Sequence, residues 1–255
     1  MDSNFADFLL KKTQRDYNET AKAFSSTREE VWPEIWFFKD FVQPGEKILD
    51  VGCGSGRLYK LFRGKEIEYF GVDFAEKLIE IAKRKYSSSL ESKEGGISPV
   101  FLIVNALRLP FEDNFFDKVF SVAAFHHIPS DEKRTSFLKE MRRVLKPKGE
   151  LFLTVWNLWQ MKYMSLILRW TVLKTFGLTK VDFFDIFVPF QGINRYYHCF
   201  RRGELRNLAR KAYFSDIKVK YLKRSGQNFN IFLRAKKLGC TGAVPVRNQR
   251  NILSL

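Results

Sequence analysis

The sequence predicts an α/β fold built on a doubly wound, mostly parallel sheet. Three observations carry that expectation. Short apolar runs of strand length alternate with helix-like stretches through residues 47–156. A glycine run, Gly52-Cys53-Gly54-Ser55-Gly56, stands where the first such strand, Lys47-Ile48-Leu49-Asp50-Val51, gives way to a helix. The chain has 255 residues, of which 45% are hydrophobic and 28% charged, enough apolar side chain for one large core.

Taken in order, helices are expected at about 5–24 and 29–42, ended by Pro44-Gly45 before the first strand. A helix at about 57–63 leads to a second strand at about 67–72, then to an amphipathic helix at 75–86 with Leu78, Ile79 and Ala82 on one face. A polar loop at 87–96 precedes strands at about 99–104, 117–122 and 150–156. A helix at about 131–145 lies between the last two, stopped by Lys146-Pro147-Lys148-Gly149. After Trp156 the alternation lapses into a helix at about 158–176 and an irregular stretch at 182–200, then resumes as a helix and two strands at about 203–236. The sum is a Rossmann-like, seven-stranded sheet with N-terminal helices and a helical insert after the fifth strand. We expect one domain over 1–237, with N-terminal helices at 1–44, an insert at 157–200 over the end of the sheet where an active site would lie, and a basic flexible tail at 238–255.

Composition narrows the function. The three cysteines, Cys53, Cys199 and Cys240, are too scattered for a disulfide framework or a metal pair, so no metal site is expected. The most apolar stretch, 158–176, is broken by Gln160, Lys162, Arg169 and Lys174, so stable membrane insertion is not expected. The N-terminus lacks a secretory apolar region, which makes cytoplasmic residence the expectation. Net charge is +16, and it is one-sided. Residues 1–145 hold 23 basic and 23 acidic groups, whereas 146–255 hold 21 basic and 5 acidic groups. That segregation points to a polyanionic partner.

The glycine run is the strongest chemical signal. Glycines at a strand-to-helix turn let a ligand approach the backbone, and a helix N-terminus favours an anionic group. Asp73, 21 residues after Gly52, ends the second strand, where a carboxylate accepts from ribose hydroxyls. A dinucleotide fingerprint would need a glycine at position 57, which is Arg57. The spacing Gly52, Gly54, Gly56 is instead that used for S-adenosylmethionine, with Asp50 opening the motif.

On ILDVGCGSGR, YFGVDFAEKLIEIAK, NALRLPFEDNFFDKVFS and LKEMRRVLKPKGELFLTVW, residues 46–156 resemble class I S-adenosylmethionine-dependent methyltransferases. The resemblance implies that Asp73 holds the ribose, that Phe74 lies beside the adenine, and that Asn105-Ala106 meets its amino group where the family often has Asp-Ala. Ala123 follows the fourth strand at the sheet's ligand-binding edge. Three further segments, TRxxxWP at 27–33, His126-His127, and Asn194-Arg195-Tyr196-Tyr197-His198 leading to Gly203-Glu204-Leu205, resemble the tRNA methyltransferases that esterify the 5-carboxymethyl group of wobble uridine. What this implies is a tRNA substrate and, as in some members, a small activating subunit.

A carboxylate is ionised at neutral pH, so its methylation needs orientation rather than a general base. A guanidinium fork suits that task, with Arg195 the first candidate and Arg28 the second. His126 and His127 are candidates for a catalytic role beside the acceptor. Trp32, Tyr196, Tyr197 and His198 are candidates for binding the substrate, the aromatics by stacking on a nucleobase. Two other readings stand beside this one: a small-molecule O- or C-methyltransferase whose insert lies on a membrane surface, and a non-catalytic module that binds cofactor and RNA.

Overall fold

Near-continuous apolar runs form the middle of the sheet, because strands covered on both faces have no polar side to show water. The computed structural model describes residues 1–86, 98–224 and 227–239. Its strands are β1 (Lys47–Val51), β2 (Glu68–Asp73), β3 (Val100–Ile103), β4 (Phe116–Val122), β5 (Leu145–Trp156), β6 (Asp185–Phe190), β7 (Ile193–His198), β8 (Phe214–Arg224) and β9 (Gln227–Lys237). Seven of them make one sheet in the order β3-β2-β1-β4-β5-β9-β8. Pairing is parallel as far as β5, and β9 runs antiparallel to both β5 and β8. Strand order reverses between β1 and β4, which opens a crevice at their C-terminal ends.

Alternate residues on the strands feed opposite faces. Leu49, Val51, Leu151 and Leu153 pack with α4 (Asp131–Val144) and α6 (Arg202–Lys211). Ile48, Phe120 and Phe152 pack on the other side, with residues of α3 (Glu76–Tyr86) and of the segment Pro33–Phe41. The remaining helices are α1 (Ser3–Glu19), α2 (Ala21–Ser26) and α5 (Met161–Thr175). Among the described residues no helix is long and apolar enough to cross a membrane. Cys53 and Cys199 are buried free thiols.

Four local expectations are corrected. Residues 33–41 form a 3-10 helix rather than an α-helix. Three residues per turn put Ile35, Phe38 and Phe41 on one side, and Phe38 thereby meets Phe120, Phe152 and Phe232 at 5.3–5.8 Å. The helix after the glycines is likewise 3-10, at Arg57–Leu61. Lys146-Pro147-Lys148-Gly149 does not lie between helix and strand. Strand β5 begins at Leu145, and these residues form an irregularity within it that shifts the register against β4, with Lys148 at φ 67°. The stretch 182–200 is no irregular segment but carries a hairpin, β6 against β7, turned through Gln191 (φ 50°) and Gly192 (φ 77°). Two consecutive positive φ values are what a tight two-residue hairpin loop requires. The expected polar loop at 87–96, nearly all of the tail at 238–255 and Cys240 lie outside the described residues.

One buried carboxylate ties the hairpin to the sheet's helices. Asp185 Oδ1 accepts from the Tyr196 hydroxyl at 2.8 Å, from His198 Nδ1 at 2.7 Å and from the Arg134 guanidinium of α4 at 3.3 Å. Arg134 also donates to the Ile128 carbonyl at 3.0 Å. Truncating Arg134 to Ala leaves a buried carboxylate without its guanidinium, which costs about 3–5 kcal/mol in comparable pairs. Urea denaturation of Arg134→Ala is expected to show a loss of that size, and a loss under about 1 kcal/mol would contradict this account of the hairpin's anchor.

Candidate active site

The crevice is built where the loops leaving β1 and β4 touch. Gly52 sits at φ 75°, and a Cβ on it would lie 2.3 Å from the Ala124 Cβ, so no larger residue fits. The backbone N–H groups of Gly52 and Cys53 both donate to the Val72 carbonyl, at 2.8 and 3.0 Å. Asp73 Oδ2 accepts from Gly54 N–H and Oδ1 from Ala75 N–H, each at 2.9 Å. Asp73 therefore shapes the glycine loop as well as facing the cavity, and burial raises its pKa. The cavity encloses about 1190 Å³ including its open mouth, and Asp50, Gly52, Gly54, Asp73, Phe74, Asn105, Ala106 and Ala123 all line it.

Gly56, expected as a cofactor contact, is not on the lining. A Cβ there would meet Tyr86 at 2.7 Å and Phe101 at 2.9 Å, so this glycine serves helix–strand packing. Asn105 lines the cavity with Oδ1 accepting from Leu107 N–H at 3.0 Å. Ala123 is held at φ 55° while its N–H meets the Thr154 carbonyl and hydroxyl, a strained residue at the rim.

Asp50 supplies the best test of fit for a cofactor. Its Oδ2 accepts from the Tyr69 hydroxyl at 2.7 Å, while Oδ1 is buried with no protein partner. Burial pushes its carboxyl up to about 7, with the Asp73 carboxylate adding to the shift. An orphaned carboxylate oxygen beside an anion-accepting glycine loop suits a ligand with both a cationic and an anionic part. S-adenosylmethionine is such a ligand, carrying a sulfonium, an ammonium and a carboxylate.

At the other end of the cavity lie the histidines and arginines. His127 Nδ1 is 2.8 Å from the Tyr196 carbonyl and must donate to it. Nε2 is then the acceptor for the Tyr17 hydroxyl at 2.7 Å. Burial holds the pKa of this ring down to about 3, so it is neutral. His126 Nδ1 accepts from Trp156 N–H at 3.2 Å, which leaves the proton on Nε2. Burial keeps that pKa well below the usual histidine value as well. Neither ring has a nitrogen free to take a proton.

The two arginines exchange the rank expected for them. Arg28 lines the cavity, its guanidinium 4.3 Å from the centre of the Phe24 ring and 5.4 Å from Phe190. Arg195 stands behind it, 1% exposed, stacked at 4.0 Å on Phe190 and 4.2 Å on Tyr17 and bonded to the Thr20 hydroxyl. Its Nε and Nη1 have no partner. Among the described residues no carboxylate lies in ion-pair reach of either guanidinium.

Three expected substrate contacts are corrected to structural ones. Tyr196 and His198 are buried in the Asp185 network, and His198 Nε2 meets Glu204 Oε1 at 2.7 Å. Tyr197 is buried between Trp156 (5.4 Å) and His126 (5.1 Å), so its ring offers no face to a base. Trp32 does line the cavity, under the Arg57 guanidinium at 4.0 Å. Tyr17, Phe24 and Trp156 also line this cavity and were not singled out as site residues from the sequence. Only Trp156 had a signal, since the C-terminal ends of parallel strands face the crevice.

The family profile described as "Methyltransferase domain" matches residues 49–153. A S-adenosylmethionine-dependent methyltransferase from Methanosarcina mazei superposes with a TM-score of 0.68 at 25% identity, over 82% of this chain and 99% of that one. A Haloferax volcanii methyltransferase solved with the Trm112 methyltransferase activator gives 0.57 at 17% identity, over 88% and 97% of the two chains. Residues 49–153 thus match the methyltransferase-domain family, and the chain is similar in fold to S-adenosylmethionine-dependent methyltransferases of that class. Within it, similarity runs to tRNA-modifying members. The human protein named "Probable tRNA methyltransferase 9B" is 31% identical over 160 residues, 63% of this chain and 32% of that protein. The Arabidopsis thaliana tRNA (carboxymethyluridine(34)-5-O)-methyltransferase is 32% identical over 163 residues, 64% and 37% of the two chains. The Schizosaccharomyces pombe protein of the same name is 27% identical over 77% of this chain and 85% of its own. The chain thus spans about a third of the length of the first curated relatives it matches.

Three outcomes follow from the cradle. Gly52→Ala forces a Cβ into Ala124, and calorimetry is expected to show cofactor affinity reduced by at least about tenfold. The Asp50 carboxyl keeps its proton up to about pH 7 when folded but ionises from about 3.8 when unfolded. Stability of the cofactor-free protein should therefore fall as pH rises from about 4 to about 7, with a shallower slope in Asp50→Asn. A cationic ligand favours the ionised carboxylate, so cofactor affinity should rise over the same window.

Proposed function

We propose that this protein transfers a methyl group from S-adenosylmethionine to the carboxylate of a 5-carboxymethyl-type wobble uridine in tRNA, forming a methyl ester. The observation that carries the proposal is the pairing of two guanidiniums that lack a carboxylate with two histidines that cannot accept a proton. Such a site suits an acceptor that arrives ionised. When bound, the cofactor supplies an electrophilic methyl on a sulfonium. Asp50, Gly52, Gly54 and Asp73 would hold it, and the transfer would ask no proton of the chain's own residues. The chain's part is geometry and dryness. Arg28 holds the carboxylate, the Arg195 charge behind it favours the anion, and the wall of Trp156, Tyr197 and His126 keeps water out.

The names of the relatives and the basic excess of residues 146–255 support tRNA as the substrate. Lys218, Lys220 and Lys223 are exposed along the edge strand β8, next to the exposed Arg202, Arg210 and Lys211 of α6. A small activating subunit belongs to the same reading, supported by the Haloferax neighbour and by β3. That strand is the other edge of the sheet, and it exposes Val100 and Ile103 in place of the lysines that guard β8. Cytoplasmic residence completes the proposal.

A second reading has one observation in its favour. Helix α5 turns Met161 (88% exposed), Leu168 and Val172 outward among Lys162 and Arg169, which suits a small-molecule methyltransferase resting on an anionic membrane. Nucleoside mass spectrometry of carboxymethyl-tRNA treated with protein, activator and cofactor separates the two. Appearance of the methyl ester supports the first reading, and vesicle binding without ester supports the second. In the same assay Arg28→Lys keeps the charge but loses the fork, and turnover is expected to fall about ten- to a hundredfold with cofactor affinity unchanged. Full turnover in Arg28→Lys would remove the clamp from Arg28.

A further inference from the structure

A second pocket, about 480 Å³ including its open mouth, adjoins the first cavity and shares Trp32 and Trp156 with it. Asn230 of β9 lines it and is 3% exposed. Its Nδ2 donates to Glu34 Oε1 at 3.0 Å. Because a carboxylate oxygen only accepts, that bond fixes which way the amide points. Oδ1 is left as a buried acceptor with no protein partner. A buried acceptor of fixed direction calls for a donor from a ligand, since leaving it unmet is costly.

The rest of the cavity says what carries that donor. Trp32 and Trp156 are each braced, the first under the Arg57 guanidinium at 4.0 Å and the second against Tyr197 at 5.4 Å with 16° between the rings. Indoles held in this way are platforms for a planar heterocycle. Lys162, exposed on the lining, supplies a cation able to pair with a phosphate. The Gln160 amide on the same lining donates one N–H to the Asn157 carbonyl and has a second to give.

We infer that this cavity is a uracil subsite, in which Asn230 Oδ1 accepts the imide N3–H of the base and the two tryptophans enclose its ring. The inference rests on the reading of the acceptor as a nucleotide and deepens it. A base seated here lies beside the wall shared with the cofactor cavity, so a short arm on its ring can pass between Trp32 and Trp156 toward Arg28. Selection against cytosine follows, because cytosine N3 is an acceptor and would face Oδ1 with no proton between them.

Binding of single nucleotides to the full chain saturated with S-adenosylhomocysteine tests it, read by tryptophan fluorescence and by ligand-observed NMR. Uridine 5′-monophosphate is expected to bind at least about tenfold more tightly than cytidine 5′-monophosphate and than 3-methyluridine 5′-monophosphate, whose N3 carries no proton. The methylated nucleotide makes the test on the unaltered protein. Asn230→Ala, checked for folding by thermal melt, should bring the three within about twofold of one another. Equal binding of all three to the unaltered protein overturns the subsite, and so does no binding of uridine 5′-monophosphate by a protein that methylates carboxymethyl-tRNA. A uridine preference in a protein that leaves carboxymethyl-tRNA unmodified keeps the subsite and removes the proposed reaction instead.

Discussion

The site depends on one close approach, Gly52 against Ala124, where the loop leaving β1 meets the loop leaving β4. These strands are neighbours in the sheet, and its order reverses between them, so their loops diverge to opposite sides. Because Gly52 has no side chain, the two loops meet without a gap. The loop after β1 lines the cavity with its glycines, and the loop after β4 brings His126 and His127 to the same cavity. Any thickening of that contact would force the two loops apart.

Around this contact the protein holds its polar groups in fixed protonation states. His127 is kept neutral by burial and oriented by the Tyr196 carbonyl, a backbone group of the hairpin. The hairpin in turn is anchored through Asp185 to Arg134. The insert therefore does more than cover the sheet end. It sets the tautomer of a ring in the active site, and that ring orients the Tyr17 hydroxyl from the N-terminal helix. Three separate stretches of chain converge in one chain of hydrogen bonds.

Charge is arranged in the same layered way. Asp50 and Asp73 line the cavity beside the glycine loop, Arg28 lines it against Phe24, and Arg195 is buried against Phe190 and Tyr17. Low polarity makes each charge more demanding of a partner, so the cavity is suited to ligands of defined sign at each end.

The fold class and the glycine turn after β1 were legible in the sequence because they rest on local patterns. The period of the apolar runs, the glycine spacing and Asp73 at a strand end all act over a few residues. The segments that changed identity, 33–41, 145–149 and 182–200, are those whose form is set by partners distant in the chain. The 3-10 turn follows from Phe152 and Phe232, the bulge from β4, and the hairpin from Arg134. The acceptor side divided along the same line. Sequence by itself determined that Arg28, Arg195 and the histidine pair were present. Only the tertiary structure decided that Arg28 faces the cavity, that Tyr196 and His198 are spent on Asp185, and that Asn230 brings an unmet acceptor beside Trp32. Burial and hydrogen-bond partners are properties of the packed chain, and residue type and spacing do not encode them.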